Sequence, residues 1–234
     1  MDTRCSHWNW AVGNLHHDTA KRLTRAQGTD LSPTQNNVGL PNLQFDIDDC
    51  ASPWTYTNNH FDFVHIRGLF GSIKDWPALY AEAFTHLRPG GYLEQVEWSV
   101  RNRSDDGSLL AGSTLDRWSN FAVEAGVRMG KSFSIAEDMP LLIPRAGFVD
   151  VTVKKFKWPI GPWSSDAKLK ELGRWNLRNW EEGMEGWALA LYTRVLGWSY
   201  DEVMRWLKEV RAALRDRNQH VYHEVSVVYA RKPE

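Results

Sequence analysis

The middle of the chain alternates between strand-like and helix-like patterns of apolar positions. Residues 43–47 (LQFDI) alternate apolar and polar side chains, and residues 61–66 (FDFVHI) are rich in β-forming residues, so both segments are predicted strands. From Asp75 to about Leu87, apolar residues recur at helical spacing, with a proline in the first turn. This pattern predicts a helix that Asp75 caps at its N-terminus.

A glycine-rich stretch follows this predicted helix. Residues 88–91 (RPGG) predict a tight turn, and residues 92–98 (YLEQVEW) predict the next strand. The order strand, helix, turn, strand is typical of a βαβ unit, in which a helix joins two parallel strands and packs on the sheet. The fold class is therefore predicted to be α/β.

The second half of the chain is richer in helical patterns. Helices are predicted over 109–129, 138–146, 166–196 and 200–215, and strands over 148–158 and 221–230. We interpret the helical part at about 160–217 as a cap inserted before the last strand. It is too short, and too closely flanked by strands, to form an independent domain.

The composition is that of an ordinary globular protein. Of the 234 residues, 42% are hydrophobic and 24% are charged, which excludes a wholly disordered chain and a disulfide-dense secreted fold. The apolar runs are far shorter than the ~20 residues that cross a bilayer, and no secretory signal pattern is present. We therefore expect an intracellular protein, cytoplasmic or nuclear, that does not use a membrane.

Charge and cysteine content exclude further classes. Twenty-eight basic and 29 acidic residues give a net charge of −1, so direct binding to nucleic acid is not expected. Cys5 and Cys50 have no CxxC partner and no clustered histidines, so neither a structural disulfide nor a metal site is predicted. The 13 tryptophans are unusual; most should pack in the core, and some can line a pocket for a flat or apolar ligand.

Candidate functional residues follow the predicted strands, because ligands of open parallel sheets bind beyond the carboxyl ends of the strands. Asp30 lies in GTDLSP (28–33), where a carboxylate can accept hydrogen bonds from both hydroxyls of a ribose or can simply form a turn. Asp48 and Asp49 follow the strand at 43–47. There an acid can accept a hydrogen bond from an adenine amino group, or it can belong to a solvated loop.

A third candidate position follows the strand at 61–66. The guanidinium of Arg67 suits a carboxylate because its fork matches two oxygens, and Gly68 lets the backbone approach a ligand closely. A structural acid is the alternative partner of Arg67. On the next strand, Glu94 and Glu97 are three residues apart and should face opposite sides, so at most one of them faces a site.

The order of these segments resembles the class I S-adenosylmethionine-dependent methyltransferases, and more narrowly the fungal LaeA-like group. The motifs that carry the resemblance are GTDLSP at 28–33, DWP at 75–77, LRPGGYLEQVE at 87–97, IGPW at 160–163, LGWS at 196–199 and HVY at 220–222. The resemblance covers about residues 28–234, which form one methyltransferase-like domain. Residues 1–27 are an atypical N-terminal segment.

The resemblance implies a Rossmann-like three-layer sheet and S-adenosylmethionine as the cofactor. It assigns Asp30 to the cofactor ribose and Leu31 to the side of the adenine. Asp48 and Asp49 match the acidic position near the adenine amino group.

The resemblance also assigns the segment after the fourth strand to the methionine moiety and the substrate. Arg67 and Gly68 match cofactor-binding positions there, and His65 is the candidate catalytic base. Tryptophans 163, 175, 180 and 187 fall in the substrate-side cap, where we expect most of them to belong to the core.

The N-terminal segment departs from the family pattern. The family begins with a strand and an E/D-x-G-x-G-x-G loop, whose glycines let the backbone approach the methionine part of the cofactor. Residues 1–27 contain Gly13 as their single glycine. We therefore expect the first strand to be missing or altered, and we interpret residues 10–12 (WAV) as a remnant of the helix that follows the loop.

Two functions follow from the resemblance. The first is an S-adenosylmethionine-dependent methyltransferase that acts on a small molecule or a protein, in secondary metabolism. The alternative is a catalytically inactive protein of the same fold that binds a regulatory protein partner. A dinucleotide oxidoreductase is disfavoured because no G-x-G-x-x-G motif is present.

Overall fold

The computed structural model describes residues 9–11, 26–32 and 42–234. Most of the atypical segment 1–27, including Gly13, lies outside these residues. The helices and strands, in chain order, are β1 (Asn9–Ala11), β2 (Ala26–Asp30), β3 (Leu43–Ile47), β4 (Phe61–Arg67), α1 (Trp76–His86), β5 (Leu87–Arg103), α2 (Thr114–Met129), α3 (Ile135–Arg145), β6 (Val149–Pro159), α4 (Ala167–Leu191), a π-helical turn (Tyr192–Leu196), α5 (Tyr200–Leu214) and β7 (Tyr222–Arg231).

Seven strands form one sheet in the order β3-β2-β1-β4-β5-β7-β6. Strand β2 runs parallel to β3, and β4 runs parallel to β5, with α1 as the connecting helix. The predicted α/β, Rossmann-like fold is therefore confirmed. The parallel pairs also bring the ends of β2 and β3 together, since Asp30 lies opposite Ile47.

The first strand is altered, as the sequence predicts. Residues Asn9–Ala11 lie between β2 and β4 and run antiparallel to both; Trp10 pairs with Gly28 on one side and with His65 on the other. The interpretation of residues 10 and 11 as a helix remnant is therefore wrong, and residue 12 lies outside the described residues. An extended segment is favoured here because unpaired buried backbone groups cost ~1–3 kcal/mol each.

Residues 88–91 belong to β5, and the prediction of a tight turn before that strand is wrong. Phe61 pairs with Leu87 and Phe63 with Tyr92, so the intervening part of β5 bulges out of the β4–β5 ladder. Lys232 holds the bulge from elsewhere in the chain. Its N–H donates to the Gly91 carbonyl (2.8 Å), and its carbonyl accepts from the Gly90 N–H (3.0 Å).

Helix α1 begins at its predicted cap, and α5 also has a side-chain cap. The Asp75 carboxylate accepts a hydrogen bond from the Ala78 N–H at 2.9 Å, at the start of α1. Helix α5 begins with a capping box, in which Ser199 and Glu202 each accept from the backbone of the other. These local bonds satisfy N–H groups that have no partner within the helix.

The chain divides into two compact units. The first comprises the described residues of Met1–Glu97, together with Ile135–Lys154 and Ser226–Glu234; the second comprises Trp98–Ser134 and Lys155–Val225. The cap predicted at 160–217 lies within the second unit, which also includes α2. Its boundaries as a separate insertion stay a prediction.

The first unit has a largely aliphatic core. Val64 and Ile66 of β4 and Leu93 of β5 belong to one buried cluster with residues of α1 and α3, among them Leu79 and Met139. Alternation along β4 and β5 buries every second residue on this side. Each fully buried side chain of this kind stabilises the fold by roughly 1.5–3 kcal/mol.

The core of the second unit combines aliphatic side chains with packed aromatic rings. Trp118 lies 5.3 Å from Trp180 between ring centroids and 5.9 Å from Tyr192. Of the four cap tryptophans, Trp180 is buried, whereas Trp175 and Trp187 are exposed, so the expectation that most belong to the core is wrong for these two. Among the described residues, no helix combines the length and apolar character needed to cross a membrane.

Candidate functional site

A cleft of about 570 Å³, counting its opening to solvent, lies in the first unit along β2 and β4 and beside the loop that follows β3. Its walls combine aromatic, aliphatic and acidic side chains. The lining residues are Gln27, Thr29, Asp48, Asp49, Cys50, Trp54, Tyr56, Phe61, Val64, His65, Ile66, Leu69 and Leu79. The cleft therefore brings together three of the predicted site residues, Asp48, Asp49 and His65.

Asp48 and Asp49 lie in the exposed loop after β3. One oxygen of Asp48 accepts from the Asp49 N–H (2.8 Å), and one oxygen of Asp49 accepts from the Ala51 N–H (2.9 Å). The Asp48 N–H in turn donates to the Asp30 carbonyl (3.1 Å). These bonds hold two carboxylates at the edge of the cleft, where they can accept hydrogen bonds from a ligand.

Asp30 and Leu31, at the end of β2, are not among the residues that line the cleft. Asp30 is 6% exposed, and its carboxylate accepts a hydrogen bond from the Ser32 N–H at 2.9 Å. This bond is the one that the turn-forming alternative requires. Leu31 is exposed. The roles of both residues at a cofactor stay predictions.

Arg67 and Gly68 end β4 and also lie outside the lining of the cleft. Arg67 is exposed, and Gly68 donates its N–H to the Val96 carbonyl at 3.1 Å. Gly68 has a φ of +66°, a conformation that glycine adopts at little cost. The glycine therefore serves the turn after β4, and its contact with a ligand stays a prediction.

His65 is half-buried on β4 and contacts Glu94 of β5. Parallel pairing sets these two residues directly opposite each other, and His65 Nδ1 lies 3.0 Å from the Glu94 carboxylate. Glu97 points to the other side of β5, where it is fully buried, so the prediction that the two acids face opposite sides is confirmed.

Glu97 is part of a buried network that the sequence did not indicate. Its carboxylate accepts hydrogen bonds from the N–H groups of Leu69 (2.9 Å) and Phe70 (3.3 Å). Gln95 donates to Glu97 and accepts from the Tyr80 hydroxyl at 2.6 Å. Burial, and then the charge of Glu97, raise the pKa of Tyr80 well above its usual value. The network therefore fixes the turn that carries Leu69 into the cleft.

An aromatic group forms one wall of the cleft. The rings of Tyr56 and Phe61 lie 4.8 Å apart, and Trp54 lies 6.2 Å from each of them. The Trp54 indole N–H donates to the Cys50 carbonyl at 3.0 Å. Burial raises the pKa of Tyr56, which also bonds to the Thr29 side chain. The sequence signal for this wall was the pair of aromatic residues in PWTY at 53–56. Only the folded structure shows that Trp54 and Tyr56 lie on the same side of the cleft.

Part of S-adenosylmethionine fits this cleft. The aromatic wall offers flat apolar surface to an adenine, and Asp48 and Asp49 offer acceptors to amino and hydroxyl groups. No lysine or arginine is among the lining residues, so nothing there pairs with the carboxylate of a methionine moiety. Within the described residues, no group of three or more histidine, cysteine or acidic side chains could hold a metal ion.

Comparison with known proteins places the chain in a family. The sequence profile described as "Methyltransferase domain" matches residues 13–153. The chain is 36% identical over 226 residues to the methyltransferase pytC of Aspergillus terreus, covering 97% of this chain and 68% of pytC. It is 31% identical over 237 residues to the secondary metabolism regulator laeA of Monascus pilosus, covering 100% of this chain and 63% of that protein.

A solved structure supports the fold alone. Phosphoethanolamine N-methyltransferase 2 of Haemonchus contortus, in complex with phosphomonomethylethanolamine and S-adenosylhomocysteine, superimposes with a TM-score of 0.51 at 18% sequence identity. The superposition covers 89% of this chain and 43% of that one. The chain thus spans only part of the proteins that it matches.

The profile match spans the motifs at 28–33 and 87–97, and the relatives cover nearly the whole chain. They confirm the prediction of a methyltransferase, with S-adenosylmethionine as the cofactor of the family and with relatives in fungal secondary metabolism. The chain belongs to the methyltransferase-domain family, in its fungal LaeA-like group.

Proposed function

We propose that this chain binds S-adenosylmethionine with the adenine in the cleft and the ribose and methionine ends beside it, and that it transfers the methyl group to a small molecule or a protein in secondary metabolism. The observation that carries the proposal is the combination of an aromatic wall with the carboxylates of Asp48 and Asp49, which follow the carboxyl end of β3. Open α/β sheets bind nucleotide-like ligands at this position.

The proposal gives each site residue a task. Asp30 accepts hydrogen bonds from the ribose hydroxyls, with Leu31 beside the adenine, and Asp48 and Asp49 accept from the adenine amino group. When bound, S-adenosylmethionine supplies an electrophilic methyl group on a sulfonium.

The segment after β4 serves the other end of the ligand. Arg67 pairs with the methionine carboxylate, and Gly68 lets the backbone come close to it. His65, which lines the cleft, removes a proton from the methyl acceptor.

Calorimetric titration with S-adenosylmethionine tests the cofactor site. Replacing Asp30 by alanine removes charge-assisted hydrogen bonds and should weaken binding at least about tenfold. Asp62→Ala is the matched control, because Asp62 is an exposed carboxylate at the start of β4 that pairs with Arg88. Equal affinities of Asp30→Ala and the parent chain, within about twofold, would remove Asp30 from the site.

The second function, a regulator without catalytic activity, is favoured by the missing glycine-rich loop in residues 1–27. Loss of two or three backbone hydrogen bonds at the methionine end should weaken binding roughly thirty- to a hundredfold. Replacing residues 1–27 by a strand–GxGxG–helix segment should therefore raise both the affinity for S-adenosylmethionine and the melting temperature. Low-micromolar binding by the 234-residue chain itself would favour the enzyme.

The binding partner of the chain depends on which of the two functions is correct, whereas the proposed cellular compartment is the same for both. For the enzyme, the partner is the methyl acceptor; for the regulator, it is a regulatory protein. In both cases we place the chain in the cytoplasm or the nucleus. Localisation of a tagged chain by fluorescence microscopy would test this placement.

A further inference from the structure

The loop 48–60, which carries part of the aromatic wall of the cleft, is fastened to α1. At the end of the loop, the Asn59 N–H donates to the Thr85 carbonyl (3.2 Å), and the His60 N–H donates to the His86 carbonyl (2.7 Å). These backbone bonds do not involve the charge of any side chain. Nearer its middle, the loop is held by two side chains of α1, and these affect how firmly the wall is placed.

Glu82 and His86 are these two side chains, and together we call them the α1 clamp. The Glu82 carboxylate accepts a hydrogen bond from the Trp54 N–H at 2.9 Å, and His86 Nδ1 lies 3.2 Å from the Thr57 carbonyl. His86 Nε2 lies 3.3 Å from the same Glu82 oxygen that accepts from Trp54. Neither clamp residue is among those that line the cleft, so the clamp acts on a ligand through the wall.

These contacts favour a proton on both ring nitrogens of His86. A carbonyl oxygen only accepts hydrogen bonds, so Nδ1, which faces Thr57, carries a proton. In a neutral ring, Nε2 would then hold a lone pair, which the Glu82 carboxylate at 3.3 Å repels. In the imidazolium, Nε2 carries a second proton, and the same contact becomes attractive.

The surroundings of the ring act on its charge in both directions. Burial opposes the charge, since the His86 side chain is 5% exposed. The ring lies in the last turn of α1, where the helix dipole stabilises a cation. The Trp54 indole stacks on it at 5.6 Å between centroids, which adds a cation–π contact to the imidazolium. The helix end, the indole and Glu82 together offset the effect of burial.

Other ionisable side chains lie near the α1 clamp. Tyr56 lies 6.3 Å from His86 between ring centroids, and His60 stacks on Tyr56 at 6.0 Å. Lys232 donates to the carbonyl of Leu87, the residue after His86, at 2.7 Å. Burial raises the pKa of Tyr56, so its phenol stays neutral in the range where histidines titrate. A test must therefore separate His86 from His60 and Lys232.

Building on the proposed function, we propose that Glu82 and His86 position the aromatic wall for the adenine of the ligand, and that the proton on His86 Nε2 controls the affinity. The protonated clamp holds the loop 48–60 against α1 and preorganises Trp54 and Tyr56. Loss of this proton makes the contact with Glu82 repulsive and loosens the wall. The cleft therefore binds an adenine ligand more tightly while the ring is charged.

The first test follows the charge of His86 and the order of the wall without a ligand. ¹⁵N NMR of the ring nitrogens is recorded from about pH 5.5 to about pH 8, where histidines change charge. Hydrogen exchange at the Trp54 amide, expressed as a protection factor, reports on its bond to Glu82. As the Nε2 proton leaves, Nδ1 should keep its proton, and the protection factor should fall at least about fivefold. The midpoint should be that of His86 and not that of His60 or Lys232.

This test is made in the parent chain, so it does not depend on a variant that folds. A neutral ring with its proton on Nε2 overturns the proposal, because the Thr57 carbonyl would then face a lone pair. A ring that keeps one charge state across the whole range also overturns it. So does a Trp54 protection factor that stays constant or follows another group.

The second test measures the binding of adenosine, whose own charge does not change in this range. Titration calorimetry should give an affinity at least about fivefold higher at about pH 5.5 than at about pH 8. Glu82→Gln keeps an oxygen that can accept from the Trp54 N–H but loses the charge, so this ratio should fall below about twofold. Glu124→Gln, in an i,i+4 pair with Arg128 on α2, is the matched control and should keep the parent ratio.

The outcomes separate the clamp from the proposed function. Adenosine binding with equal affinity at both pH values overturns the clamp and leaves the adenine site in place. A parent-like ratio in Glu82→Gln overturns the role of Glu82. Absence of adenosine binding at both pH values overturns the adenine site and its coupling to the clamp, whereas the Trp54 protection factor still reports whether His86 holds the loop.

Discussion

The two compact units bury different kinds of side chain. The first has an aliphatic core beneath the sheet, and its buried acid, Glu97, is satisfied by two backbone N–H groups. The second buries a larger share of aromatic rings beside its aliphatic side chains, and Trp118 contacts both Trp180 and Tyr192. Its buried His223 lies among tryptophan rings, and no hydrogen-bond partner of His223 Nε2 is found within the described residues.

The difference indicates which buried groups stabilise each unit. In the first unit, buried aliphatic side chains such as Val64 and Ile66 also line the cleft, beside the polar loop that follows β3. Aromatic rings bury roughly 150–250 Å² each and prefer particular geometries. We therefore expect truncation of a buried aromatic ring to destabilise the second unit strongly. In the first unit, we expect removal of the buried acceptor Glu97 to be destabilising.

The largest effect is expected from Trp180→Ala. Trp180 is 5% exposed and contacts Trp118 and Trp187, so its truncation leaves a cavity and should lower the free energy of unfolding by about 3–5 kcal/mol. Trp175→Ala on the same helix is the control; Trp175 is 59% exposed, and its loss should matter by less than ~0.5 kcal/mol. Urea unfolding measures both, and equal effects would contradict the burial assigned to Trp180.

The next effect is a dependence on pH. Burial lowers the pKa of His223 from its ordinary 6.5 to about 4. Between these two pH values the unfolded chain binds a proton that the folded chain does not. The free energy of unfolding therefore has its full value above pH 6.5 and falls by ~3 kcal/mol as the pH approaches 4.

His223→Phe should remove that part of the acid sensitivity. Urea unfolding at several pH values compares the pH dependence of the unfolding free energy of this variant with that of the parent chain. A parent-like slope in His223→Phe would show that His223 titrates normally.

The smallest of the three effects is expected from Glu97→Ala. The substitution leaves the N–H groups of Leu69 and Phe70 without their acceptor and should cost ~2 kcal/mol. Hydrogen exchange should speed up at these two amides, and ligand binding in the cleft should weaken because Leu69 lines it. Glu209→Ala, at an exposed position of α5, is the control. Unchanged exchange at Leu69 would show that Glu97 does not hold the turn.

The candidate site could be predicted in part. The strand-end position of Asp48 and Asp49 followed from the order of strands and helices, whereas His65, expected in the segment after the fourth strand, lies within β4; all three line the cleft. The aromatic wall and the Glu97 network could not be predicted. They depend on which residues of separate elements meet in space, and no local pattern encodes that.

What the sequence determined by itself is the set of elements that local forces decide. Alternation defines β3 over Leu43–Ile47, and side-chain oxygens at Asp75 and Ser199 start α1 and α5, because each of these signals acts within a few residues. Only the tertiary structure decided that residues 88–91 extend β5, because their partner, Lys232, comes from the C-terminal end of the chain. It also decided that Glu94 contacts His65, since strand register places two residues side by side that are 29 positions apart.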